Sequence, residues 1–116
     1  MRDLKLTKII PLDHLTNVLG DVADKKKTVA LCHGTFDLLH IGHVRHFREA
    51  KALCDYLVVT LTADDFVLKG PNRPFMEETL RAEMIANLSC VDYVSIIRDY
   101  SAVPAIEIVK PTFYVK

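Results

Sequence analysis

The sequence holds no internal repeat, no low-complexity tract and no Gly/Ser linker, and only four of its 116 residues are glycine. A repeat array or a flexible tether is thereby excluded. Charge of one sign is lacking too, because 15 lysines and arginines balance 15 aspartates and glutamates. A neutral chain has no broad positive field to gather phosphates, so it is no general binder of nucleic acid or acidic membrane, and any anion site must be local. No run approaches the roughly 18 apolar residues that a membrane span needs. The opening Met1-Arg2-Asp3-Leu4-Lys5 has no apolar stretch of the secretory kind. Cysteine is scarce, and Cys32, Cys54 and Cys90 are odd in number, widely spaced and free of any CxxC pair. Their apolar neighbours suit buried thiols in a reducing cytoplasm better than disulfides or zinc. What remains, 50% hydrophobic and 26% charged, is one ordinary globular core.

Thr28-Val-Ala-Leu-Cys32 is a short β-branched apolar run, ending at Gly34, that reads as a buried strand. From His43 to Leu53 the spacing of Val44, Phe47, Ala50 and Cys54 predicts a helix. Tyr56–Leu61 is a second continuous apolar run, and residues 67–75 form a loop because Gly70-Pro71-Asn72 and Pro74 break regular structure. A second helix follows, with Glu77 and Glu78 at its positive end and Leu80, Met84, Ile85 and Leu88 on one face. Tyr93–Ile97 reads as a third strand, 102–109 as a short helix and Thr112–Val115 as a fourth strand. Strands apolar on both faces, alternating with amphipathic helices, indicate an α/β fold: a Rossmann-like parallel sheet sandwiched by helices. Residues 11–23 form a weaker amphipathic helix (Leu12, Leu15, Val18, Leu19, Val22) expected on the outside, so residues 1–27 read as a helical extension and 28–116 as the main domain.

Chemistry concentrates where the first strand meets the first helix. Four of the five histidines lie between positions 33 and 46, and the segment reads His33-Gly34-Thr35-Phe36-Asp37-Leu38-Leu39-His40-Ile41-Gly42-His43. In a parallel sheet this junction is at the carboxyl ends of the strands, where ligands bind. Gly34 and Gly42 would let the backbone approach a ligand, and the unpaired amides of a first helical turn suit phosphate. His40 and His43, three apart, can turn their imidazoles toward one anion and stabilise charge growing on it. His33, His46 and His14 read as packed or solvated, and Asp37 reads equally as a turn organiser or a ligand.

Gly34-Thr35-Phe36-Asp37 followed by His40-Ile41-Gly42-His43 resembles the motif of the cytidylyltransferase-like nucleotidyltransferases, and the resemblance runs from about Thr28 to Lys116. That superfamily transfers a nucleoside monophosphate from a triphosphate to a phosphorylated alcohol or sugar and releases pyrophosphate. Leu68-Lys69-Gly70-Pro71-Asn72-Arg73-Pro74 and Val91-Asp92-Tyr93-Val94 are most similar to the heptose-1-phosphate adenylyltransferase branch. The Gly34–His40 wording is closer to glycerol-3-phosphate cytidylyltransferase, so the two stretches point to different nucleotides, ATP and CTP.

The resemblance implies that His40, His43 and Lys69 are the catalytic groups on the reacting phosphates. Gly34, Thr35, Phe36, Gly42 and Arg73 would join the two histidines around the nucleotide, and Asp37, Arg81 and Arg98 would bind the acceptor. It further implies Mg²⁺ bridging the triphosphate, no protein-held metal, a cytoplasmic homodimer, and no nucleic-acid or membrane partner. In that family the last strand leads into a further strand and helix, so the chain ending at Lys116 reads as a domain lacking those elements. Two other readings stay open. One is an incomplete or non-catalytic nucleotide-binding module of a longer kinase–transferase polypeptide. The other is a fragment of a class I aminoacyl-tRNA synthetase, against which the neutral charge and short length count.

Overall fold

The computed structural model describes residues 7–24, 26–67 and 74–116, with the backbone alone over 21–24. Four helices, α1 (Leu12–Asp24), α2 (Ile41–Ala52), α3 (Glu78–Ala86) and α4 (Val103–Val109), alternate with four strands, β1 (Val29–Gly34), β2 (Tyr56–Thr62), β3 (Tyr93–Ile97) and β4 (Phe113–Tyr114). The strands form one parallel sheet in the order β3-β2-β1-β4. This is the expected α/β sandwich. β2 and β3 step away from β1 on one side and β4 lies on the other, so the strand order reverses at β1. Such a reversal opens a crevice at the carboxyl end of the sheet.

Each face of the sheet carries its own core. On one, Phe47 and Ala50 of α2 and Ala82, Ile85 and Ala86 of α3 cover Ala30, Cys32, Leu57, Val59, Leu61 and Val94. On the other, Leu15 and Leu19 of α1 and Ala105 and Val109 of α4 cover Val29, Leu31, Val58 and Ile97. α1 is therefore no outer appendage, since Leu15 is fully buried and seals half of one face. Its apolar spacing is met by a sheet face that α4, only seven residues long, cannot cover alone. Just ahead of α1, Ile9 bridges Val94 and the Ile10 amide donates to the Val94 carbonyl at 2.8 Å, which shields the β3 edge.

The helical phase of α3 differs from expectation. Leu80 and Met84 are exposed, and the buried stripe is Arg81, Ala82, Ile85 and Ala86. Two alanines let the helix sit close to the sheet, and a buried cluster of acceptors draws Arg81 inward, which fixes the rotation. β4 is also shorter than its apolar run, with Phe113 and Tyr114 paired to Ala30 and Leu31 and both partly open to solvent.

Candidate functional site

β1 ends at Gly34 and the chain reaches α2 through a turn with two left-handed residues, Phe36 (φ 54°) and Leu38 (φ 65°). Each costs about 1–2 kcal/mol in a residue with a side chain. The Phe36 conformation is repaid by packing, because its ring lies over Gly34 and meets His43 and Phe47 edge-on at centroid distances of 5.4 and 5.1 Å. A Cβ on Gly34 would lie 2.9 Å from that ring, and a Cβ on Gly42 would lie 2.8 Å from the His40 imidazole. Both glycines thus make room for rings of the chain itself, a nearer reason than the approach of a ligand.

His40 is the N-cap of α2, where Ser, Thr, Asp or Asn is usual. Its Nδ1 accepts from the Gly42 amide at 3.0 Å, and Nδ1 of His43 accepts from the His40 amide at 3.2 Å. This reciprocal cap satisfies two orphan donors of the first turn. It also assigns the tautomer: a nitrogen that accepts carries no proton, so each neutral imidazole holds its proton on Nε2. The rings stack with centroids 3.9 Å apart and 29° between planes, and Phe36 braces the inner one. His40 is exposed and His43 half-buried. The paired imidazoles stand at the positive end of a helix, beside the crevice at β1, a setting that suits an anion.

Thr35 is half-buried, and its carbonyl accepts from Arg81 Nη1 at 2.7 Å. Asp37 turns its carboxylate toward the chain: Oδ2 accepts from the Phe75 amide at 2.8 Å and Oδ1 from the Met76 amide at 3.0 Å. Arg81, expected at the acceptor, has a side chain with 0% exposure that pairs with Asp64 at 2.6 Å. Its donors go to protein acceptors, and no face of the guanidinium is open to a substrate. Arg98 lies at the end of β3, largely exposed, and donates to Glu78 at 2.7 Å. Lys69 and Arg73 lie outside the described residues.

His33 is half-buried, and its Nδ1 is 2.8 Å from Thr60 Oγ1. Burial holds its pKa below the ordinary histidine value. Next along the same register, Ser95 is fully buried with its hydroxyl unpartnered. Burial and the neighbouring Cys54 and Cys90 push the Cys32 thiol up to about 12, which makes it a core group without nucleophilic character. Lys51 bonds Asp92 at 2.7 Å and the Asp55 carbonyl at 2.6 Å, tying α2 to the amino end of β2 and away from the histidines. Asp64, which the sequence places at the end of the second strand as a turn former or a substrate contact, is instead the ion-pair partner of Arg81, and Glu78 accepts from the Asp64 amide at 2.9 Å. The available signal for that pairing was Arg81 itself, which shares an i, i+4 stripe with Ile85.

Among the described residues no group of three or more His, Cys, Asp or Glu side chains could hold a metal ion. Nor, among them, is any helix long and apolar enough to cross a membrane.

The chain is 41% identical over 112 residues to the bifunctional protein HldE of Citrifermentans bemidjiense, covering 95% of this chain and 23% of that protein. It is 43% identical over 111 residues to the bifunctional protein HldE of Helicobacter pylori strain P12, with 94% and 23% coverage. It therefore spans about a quarter of the length of these curated relatives. Among solved structures, the lipopolysaccharide core biosynthesis protein of Thermoplasma volcanium superposes with a TM-score of 0.69 at 28% identity, covering 76% of this chain and 72% of that one. Residues 31–116, from the middle of β1 through the histidine turn to the last residue, match the Cytidylyltransferase-like family, and the chain belongs to it.

Proposed function

We propose that the chain is the nucleotidyl-transferring unit of an enzyme that moves a nucleoside monophosphate from ATP or CTP to a phosphorylated sugar or polyol and releases pyrophosphate. The observation that supports this reading is the pair of stacked imidazoles capping α2, with the proton of each on Nε2. A direct displacement at phosphorus needs little covalent chemistry, so alignment and charge stabilisation supply most of the acceleration. His40 and His43 donate to the phosphate oxygens on which charge grows. Gly34, Thr35, Phe36 and Gly42 shape the turn against the nucleotide, and Lys69 and Arg73 bring two cations to the triphosphate. Arg98, whose exposed guanidinium holds Glu78 by one nitrogen, would meet the acceptor phosphate. Asp37 orients the backbone at Phe75 and Met76 on the same side.

Mg²⁺ would enter with the triphosphate, held by its oxygens. When bound there, it would neutralise charge on the phosphates during transfer. The similarity to HldE proteins and to the lipopolysaccharide core protein favours a sugar phosphate as acceptor.

The test mixes the chain with each of four triphosphates and a panel of phosphorylated sugars and polyols, and measures pyrophosphate. Release with one triphosphate and one acceptor class is expected. The same triphosphate at about a hundred times its Kd should stabilise the fold by about 2.7 kcal/mol. A second reading is a nucleotide-binding module without turnover. Stabilisation without pyrophosphate release would select it, and neither effect would overturn both.

A further inference from the structure

Arg81 meets four protein acceptors at once. Nε donates to the Met76 carbonyl at 3.0 Å, Nη1 to the Thr35 carbonyl at 2.7 Å and the Thr62 carbonyl at 2.8 Å, and Nη2 to Asp64 Oδ1 at 2.6 Å. A guanidinium with 0% exposure has exchanged its water for these fixed acceptors. The acceptors belong to separate pieces of chain. Thr35 opens the histidine turn, Thr62 ends β2, Asp64 begins the short 3-10 turn Asp64–Phe66, and Met76 immediately follows segment 67–75. One planar group therefore holds the histidine turn and both stems of that segment in a single register. Two further contacts pin the same stems from the side: Asp37 takes the Phe75 and Met76 amides, and Glu78 takes the Asp64 amide.

We propose that Arg81 is a positioning residue: it sets the stems of segment 67–75 against the His40–His43 turn, and it acts on the reaction through Thr35, Asp64 and Met76 without touching substrate. The kinetic part of this inference rests on the nucleotidyltransferase reading; the structural part does not. Lysine cannot substitute, because three N–H groups on one nitrogen cannot span four acceptors arranged for a planar fork.

The experiment compares the full chain with its Arg81→Lys variant by amide exchange and by pyrophosphate release. Exchange at Phe75 and Met76 should quicken roughly tenfold or more, the scale of losing hydrogen bonds to a charged group. Exchange at Val58 and Val59 in the sheet centre should stay unchanged. Turnover should fall on the order of 10²-fold through misplacement, while KM for triphosphate and acceptor stays within a factor of about three. A merely structural role would lower the folded fraction without moving kcat per folded molecule. Unchanged exchange at Phe75 and Met76, or a selective rise in acceptor KM at constant kcat, would overturn the proposal. Should the lysine variant fail to fold, Asp64→Asn removes one arm's charge with its shape kept, and must show the same signs at smaller size. If the parent chain releases no pyrophosphate, the functional reading falls and the exchange comparison alone decides for Arg81.

Discussion

Both faces of the sheet are covered by two helices, yet the covers are built by different rules. On the α1/α4 face the contacts are aliphatic, with Leu15, Leu19, Ala105 and Val109 over Val29, Leu31, Val58 and Ile97. Its left-handed residues are Lys26 (φ 59°), just after α1, and Lys110 (φ 48°), which ends α4, a common place for that backbone state. On the α2/α3 face the same backbone state falls at Phe36 and Leu38, inside the histidine turn, and a charged side chain is buried beneath it. One face is made for stability. The other accepts strain and buried charge to hold a few groups in place, which is where chemistry is to be sought.

The sharpest way to break this contrast is Leu15→Ala. Removing a fully buried leucine should lower stability by about 2–5 kcal/mol, read from the urea midpoint. Turnover per folded molecule should not change, and a fall in that rate would mean the α1 face does more than support. His43→Ala should do the reverse, with a rate loss on the order of 10²–10³, as for one preorganised donor. Its stability loss should be only about 1 kcal/mol, because the His40 amide loses its capping partner. Full pyrophosphate release by that variant would remove the histidine pair from the mechanism.

The smallest expected effect sharpens the line between the faces at His33. Burial holds its pKa below the ordinary 6.5, so the unfolded chain takes up the proton first as pH falls. The stability supplied by the neutral ring is complete above that value and is lost as pH drops through the folded-state pKa. His33→Gln should flatten the decline of Tm between pH 7 and 5 by a few degrees at most. An unchanged profile would show that His33 is not the group titrating there.

Local chemistry made much of the fold legible. Tyr93–Ile97 was bounded by its own apolar run and stands as β3, and the 11–23 periodicity became α1 at Leu12–Asp24. Where prediction slipped, a partner distant in sequence decided. α2 starts at Ile41 instead of His43 because a histidine does the capping. The phase of α3 was hidden because Arg81 answers to Thr35, Thr62 and Asp64, and none of these lies within its own helix. The histidine turn, by contrast, was visible at once, since spacing and glycine placement are local properties.

Leu38 carries one more consequence. It is 52% exposed and left-handed, so neither burial nor backbone preference recommends leucine at that point. Glycine or asparagine would suit the backbone better, by about the 1–2 kcal/mol that the left-handed state costs a leucine. The chain thus holds a reserve of stability that one substitution could release. An engineer seeking a hardier protein would find it beside the histidines, in the place where releasing it most endangers their alignment.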